Sequence, residues 1–236
     1  MTAPPANHLA RIANFFGYKL DELRFHLETI IDHCEESLAC FQAGQPKVEG
    51  KDRRLVYGFS SFTNTIQTLK DAGGMLAPDA LPWSKIKALR HGGFMKDVRN
   101  AITHDGNPVI SAWADGRYFV PNKIVRFEYE KVVVIDPPAV DVRQFCLEFT
   151  ADFARLLSQI LKDIPDDERL SMSIFDINEI DVVLRDSAFM PEFAKKILAE
   201  QRDEIQKYLQ ETRVPHIEEA IKKADDLAVL CSAKLS

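Results

Sequence analysis

The sequence predicts a mainly α-helical protein carrying a small antiparallel β-ribbon near its middle. Three observations predict it. Apolar residues recur at steps of three and four through most of the chain, as on one face of a helix. One tract, residues 109–135, switches to β-branched and aromatic alternation. Prolines and paired glycines fall where the helical pattern breaks rather than inside it.

The helical stripes come in order. Leu20, Leu23, Leu27, Ile30, Cys34, Leu38 and Phe41 mark a long first helix. Residues 44–50, with two glycines and Pro46, end it. Leu55, Phe59, Phe62, Ile66 and Leu69 form a second stripe, stopped by Gly73-Gly74. So short a connection predicts an antiparallel pair. A third helical region starts at 79–82 with Ile86 and Leu89 apolar, and His91-Gly92-Gly93 interrupts it as a kink or turn. Phe94, Val98, Ala101 and Ile102 resume the stripe until Gly106 and Pro108.

In the β tract, residues 109–113 and 117–120 flank Ala114-Asp115-Gly116, which reads as a hairpin turn. Residues 124–129 and 131–135 add one or two further strands. Asp136-Pro137-Pro138 favours a helix start. The clearest amphipathic stripe follows, through Val142, Phe145, Cys146, Phe149, Phe153, Leu156, Leu157 and Ile160. Helical patterns near 176–187, 191–211 and 215–231 complete the chain. The predicted organisation is a bundle over residues 7–164, with the β insertion near 109–135. An acidic helical extension over 165–236 packs on it.

A chain of 236 residues buries a core without disulfides. Cys34, Cys40, Cys146 and Cys231 show no Cys-x-x-Cys spacing, so they read as free thiols in a reducing compartment. The N-terminus has neither the basic region nor the apolar run of a secretory signal, and no apolar run is long enough to span a bilayer. A cytoplasmic location is expected. The net charge of −6 argues against broad nucleic-acid binding, but it is unevenly spread. From residue 163 onward there are 17 acidic and 10 basic residues, whereas 83–104 holds Lys85, Lys87, Arg90, Lys96 and Arg99 against Asp97 alone. That local basic patch suits a grip on a few phosphates.

On a helix, Asn100 and His104 are neighbours four apart, on the side opposite Phe94, Val98, Ala101 and Ile102. Arg99 lies at the edge of that polar side. A polar helix face with a terminal histidine is also what an ordinary surface helix presents. The string Asp97-Val-Arg-Asn-Ala-Ile-Thr-His-Asp-Gly106, however, resembles the signature of the HEPN superfamily, an Arg followed after a short spacer by His. The match is to its abortive-infection and RNA-processing branches. It covers about ten residues in motif and roughly 20–161 in architecture, so it implies a HEPN-like antiparallel helical bundle.

The resemblance implies a metal-independent endoribonuclease acting as a homodimer on RNA, leaving 2′,3′-cyclic phosphate and 5′-hydroxyl ends, in phage defence or stress response. His104 would be the general acid or base, Arg99 would hold a phosphate oxygen, and Asn100 would orient His104 or the substrate. Lys85, Lys87, Arg90 and Lys96 would guide the RNA backbone; their ordinary role is a solvated face. The same superfamily contains silent modules that bind RNA, a nucleotide or a protein, and a plain helical scaffold is the third reading. An antitoxin or other regulator is a further expected partner. Where the toxins modified by a nucleotidyltransferase carry a tyrosine, this chain has Asp105-Gly106-Asn107, so that pairing is not implied.

No cofactor or metal is expected. Gly73-Gly74 and Gly92-Gly93 lack the Gly-Lys-Ser/Thr continuation of a phosphate loop. Ser60-Ser61 lacks a nucleophile-elbow pattern. His26 and His33, beside Glu28, Asp32, Glu35 and Glu36, lack metal-binding spacing and read as a charged surface.

Overall fold

A computed structural model describes residues 5–45, 52–105, 109–128, 131–187 and 189–236, except for the side chains at 104, 105, 128 and 186. Among them, four helices build the core: α1 (His8–Gln42), α2 (Asp52–Leu76), α5 (Val142–Lys162) and α9 (His216–Leu235). Helix α1 spans 35 residues, about 52 Å at 1.5 Å per residue, and serves as the spine. It packs along α2 on one side and α9 on the other, while α5 lies against α9 and α1. The interior is aromatic: Phe16, Phe59, Phe62, Phe145, Phe149 and Phe153 are fully buried. Edge-to-face contacts lock Phe145 between Phe59 and Phe94.

The remaining helices are α3 (Trp83–Lys87), α4 (Gly92–Asp105), α6 (Ile177–Asp186), α7 (Glu192–Glu200) and α8 (Arg202–Glu211). Helix α4 docks on α2 and α3 through Phe94, Met95, Val98 and Ala101. Helices α6 to α8 lie outside the core, and α7 and α8 bury no residue. An Arg11–Glu179 ion pair ties α6 to α1. Beyond residue 165, α9 differs from those three: Ala220, Ala224, Leu227, Ala228 and Cys231 are part of the main core. No helix among the described residues is long and apolar enough to cross a membrane.

The β insertion is two separate hairpins rather than one ribbon. Strands β1 (Ala112–Ala114) and β2 (Arg117–Phe119) pair antiparallel, as do β3 (Ile124–Glu128) and β4 (Lys131–Ile135). Pro121, which has no N–H to donate, stands between them. The first turn is Asp115-Gly116, with φ of 50° and 80°, the left-handed pair a two-residue hairpin turn needs. A Cβ on Gly116 would stand 2.9 Å from the Leu38 Cα, so this turn also lets the hairpin press against α1.

Four boundaries differ from the sequence reading, the first being α2, which runs through Gly73-Gly74 to Leu76 instead of stopping there. Helix α1 starts at His8, because Ile12, Ala13 and Phe16 extend its buried stripe upstream of Leu20. Helix α5 starts at Val142 rather than after Asp136-Pro137-Pro138. Asp141 caps it, its side chain accepting from the Gln144 N–H at 2.9 Å. The 191–211 pattern is broken at Gln201 into α7 and α8. The stop at Gly106 and Pro108 and the strand end at Tyr129 lie outside the described residues.

Candidate functional site

Helix α4 places the Arg99–Asn100 pair against α2. Its apolar stripe fixes the rotation: with Val98 and Ala101 fully buried, residues 99, 100 and 103 are turned toward the α2 edge and solvent. Arg99 and Asn100 are both half-buried, and an Arg99 Nη1 hydrogen donates to Asn100 Oδ1 at 3.1 Å. Thr103 Oγ1 donates to Asn64 Oδ1 on α2 at 3.2 Å, pinning the last turn. The Nε of Arg99 is buried without a hydrogen-bond partner, leaving an N–H donor of a fixed cation unspent. His104 lies within α4, one turn past Asn100; its imidazole is outside the described residues.

On α2, within electrostatic reach of Arg99, Asp71 accepts from Gln67 at 2.8 Å and Lys70 at 3.0 Å. Burial raises its carboxyl, but those two bonds and the charges of Lys70 and Arg99 outweigh burial and hold it below its ordinary value. Asp71, Lys70 and Trp83 also border an open cavity of about 430 Å³ beneath α3. The Arg99 guanidinium and the Asn100 amide are thus held together, with a carboxylate biased toward its ionised form nearby on α2. The guanidinium and amide can grip an oxyanion and fix its orientation, while the Asp71 carboxylate repels one from its own side.

The four basic residues expected to guide RNA are placed differently. Lys85 donates to the Ala80 carbonyl at 3.0 Å, and Lys87 is exposed on the same short helix. Lys96 is half-buried with its ammonium 4.0 Å from Asp97. Arg90 turns to α5 instead of joining Arg99, lying 3.5 Å from Glu148 and 3.4 Å from Asp152.

His33 is buried, in contrast to the charged surface the sequence suggested. Its Nε2 is 3.2 Å from the Tyr118 hydroxyl, which donates to Asp52 Oδ1 at 2.7 Å. Burial, and then the bond to Asp52, push the phenol pKa of Tyr118 up. This buried chain stitches β2 to α1 and α2. His26 is held below its ordinary value mainly by burial. Among the described residues, no group of three or more His, Cys, Asp or Glu side chains is arranged to hold a metal ion.

A second polar cavity escaped the sequence reading. About 480 Å³ in volume, it opens between α1, β2, the start of α5 and the end of α9, with Arg90, Arg117, Arg143, Glu35, Asp141 and Glu148 on its walls. These residues belong to four separate stretches of chain, and no local motif joins them. Compared with known proteins, the chain matches no family model, no curated protein and no solved structure.

Proposed function

We propose that this chain is a HEPN-type endoribonuclease of the cytoplasm, metal-independent and dimeric, serving phage defence or stress response. The observation that carries the reading is the half-buried Arg99–Asn100 pair, bonded side chain to side chain one turn ahead of His104. In this reading a phosphodiester takes the Nη2 hydrogens of Arg99, whose Nε is buried and whose Nη1 is held by Asn100. The substrate 2′-hydroxyl attacks phosphorus, a 2′,3′-cyclic phosphate forms, and the bond to the 5′-oxygen breaks. His104 takes the 2′-hydroxyl proton as base or returns a proton to the leaving 5′-oxygen as acid; a dimer supplies one histidine for each task. Arg99 stabilises the charge that builds on the phosphoryl oxygens. Asn100, already bound to Arg99, keeps the guanidinium aimed.

The test is RNA cleavage by purified protein in EDTA, beside Arg99→Ala and His104→Ala. Loss of roughly 10²- to 10⁴-fold in rate for His104→Ala is expected, and about 10²- to 10³-fold for Arg99→Ala. Cleavage that survives both substitutions overturns the mechanism. Absence of any cleavage by the folded wild type overturns the enzyme reading and leaves a binding module.

A further inference from the structure

The cavity between α1, β2, α5 and α9 holds more hydrogen-bond donors than it uses. Its carboxylates are spent. Both oxygens of Glu35 accept from Lys234, and Oε1 also takes two bonds from Arg143, at 3.1 and 2.9 Å. Asp141 accepts from the Gln144 N–H and from Arg117 Nη1, each at 2.9 Å. Glu148 meets Gln144 Nε2 at 3.0 Å and His91 Nε2 at 2.7 Å. All six carboxylate oxygens thus face a nitrogen.

The guanidiniums are not spent. A guanidinium carries five N–H donors. Arg117 uses only Nη1, and its Nε and Nη2 meet no acceptor among the described residues. Arg90 stands at ion-pair distance from Glu148 and Asp152, 3.5 and 3.4 Å, and makes no hydrogen bond among the described residues. Both side chains are about half exposed, at 51% and 53%, so a ligand can reach them. The three arginines and three carboxylates of the lining balance in charge, Lys234 and Asp152 pair with Glu35 and Arg90 from outside it, and the positive end of α5 opens into the same space. Leu38 and Leu235 add apolar wall.

We infer that this cavity binds a small phosphate monoester, whose terminal oxygens take the unspent N–H groups of Arg90 and Arg117 while Leu38 and Leu235 flank its organic part. Donors arriving from two elements suit a tetrahedral group with three terminal oxygens better than a planar carboxylate. A volume of about 480 Å³ has room for the phosphate and an attached ring. The site does not depend on the ribonuclease reading, because Arg99 faces α2 while Arg90 faces α5.

The test is calorimetric titration of the full chain with inorganic phosphate and with phenyl phosphate. Phenylacetate serves as the carboxylate control and a 2′-O-methyl RNA oligomer as the phosphodiester control. Phenyl phosphate is expected to bind with a Kd on the order of 1 mM or tighter. Arg90→Met and Arg117→Met should each weaken it roughly tenfold, and Lys207→Met on α8 should leave it unchanged. Arg90→Met decides the matter if loss of the Asp141 contact unfolds Arg117→Met. The inference is overturned if phenyl phosphate shows no saturable binding, or binds Arg90→Met as it binds the wild type. Equal binding of phenylacetate, or oligomer binding that Arg90→Met weakens as much as it weakens phenyl phosphate binding, overturns it too. Loss of RNA cleavage with phosphate binding intact would refute only the ribonuclease reading.

Discussion

Two adjacent glycines at the start of the motif helix should respond to alanine in opposite directions. A Cβ on Gly92 would lie 1.8 Å from the Ile86 carbonyl oxygen and 2.8 Å from its carbon, both backbone atoms of α3. No side-chain rotamer can relieve that clash, so either α3 retreats by more than an ångström or the first turn of α4 opens. Overpacking of this kind costs about 1–3 kcal/mol. Opening the turn threatens the bonds from Gly92 N–H to Leu89 and from Met95 N–H to His91, both 2.9 Å, each worth about 1 kcal/mol. A loss of about 3 kcal/mol translates to a Tm fall of roughly 6–12 °C in a chain of this size. A Cβ on Gly93, by contrast, meets nothing within 4 Å. Gly93→Ala should therefore gain about 0.5–1 kcal/mol from helix propensity and raise the Tm by roughly 1–4 °C. Thermal unfolding by circular dichroism reads both variants. Gly92→Ala at or above the stability of Gly93→Ala would refute the close approach of α3 to α4.

Other substitutions and conditions test the rest of the fold. Burial raises Glu148, yet Gln144, His91 and Arg90 together hold it below its ordinary value, and Glu35 is held down likewise by Arg143 and Lys234. Their folded pKa values lie below the unfolded ones, so the stability they confer is complete above about pH 4.3 and drains away as pH falls through the folded values. Glu148→Gln should flatten that acid limb in a urea series, and an unchanged limb would contradict the assignment. Burial pushes the thiols of Cys34 and Cys231 up to about 12 and that of Cys146 up as well, whereas Cys40 is only half-buried. Alkylation of the native protein at pH 8 should therefore label Cys40 first by mass spectrometry; prior labelling of Cys34, Cys146 or Cys231 would contradict the packing. Leu227→Ala on α9, 1% exposed, should cost about 2–5 kcal/mol. A cost near zero would mean that α9 is an appendage rather than a core helix.

Local signals made much of this fold legible. The period change over residues 109–135 and the Asp115-Gly116 turn announced the β insertion, because strand alternation and left-handed φ demand specific residue types. The start of α5 was misplaced since Pro137-Pro138 is the louder signal. The quieter one, Asp141 three residues before Gln144, is a capping pattern and marks the true boundary. The upstream part of α1 was obscured because exposed Phe15 and Tyr18 interrupt the clean alternation of its faces. Arg99, Asn100 and His104 could be read because they share one helix. Nothing local reveals that His33 is buried, since its partner Tyr118 lies 85 residues away. The Arg90 and Arg117 cavity was illegible for the same reason: its walls meet only when α1, β2, α5 and α9 pack together.

The central claim is that the proposed site at Arg99, Asn100 and His104 cleaves RNA through the substrate's own 2′-hydroxyl. The most direct measurement is end-group analysis of RNA treated with the protein in EDTA, beside a substrate carrying one 2′-deoxy residue at the cleaved position. The account predicts 2′,3′-cyclic phosphate and 5′-hydroxyl ends, with cleavage abolished at the 2′-deoxy position. Products bearing 5′-phosphate and 3′-hydroxyl ends, or cleavage that ignores the missing hydroxyl, would contradict it.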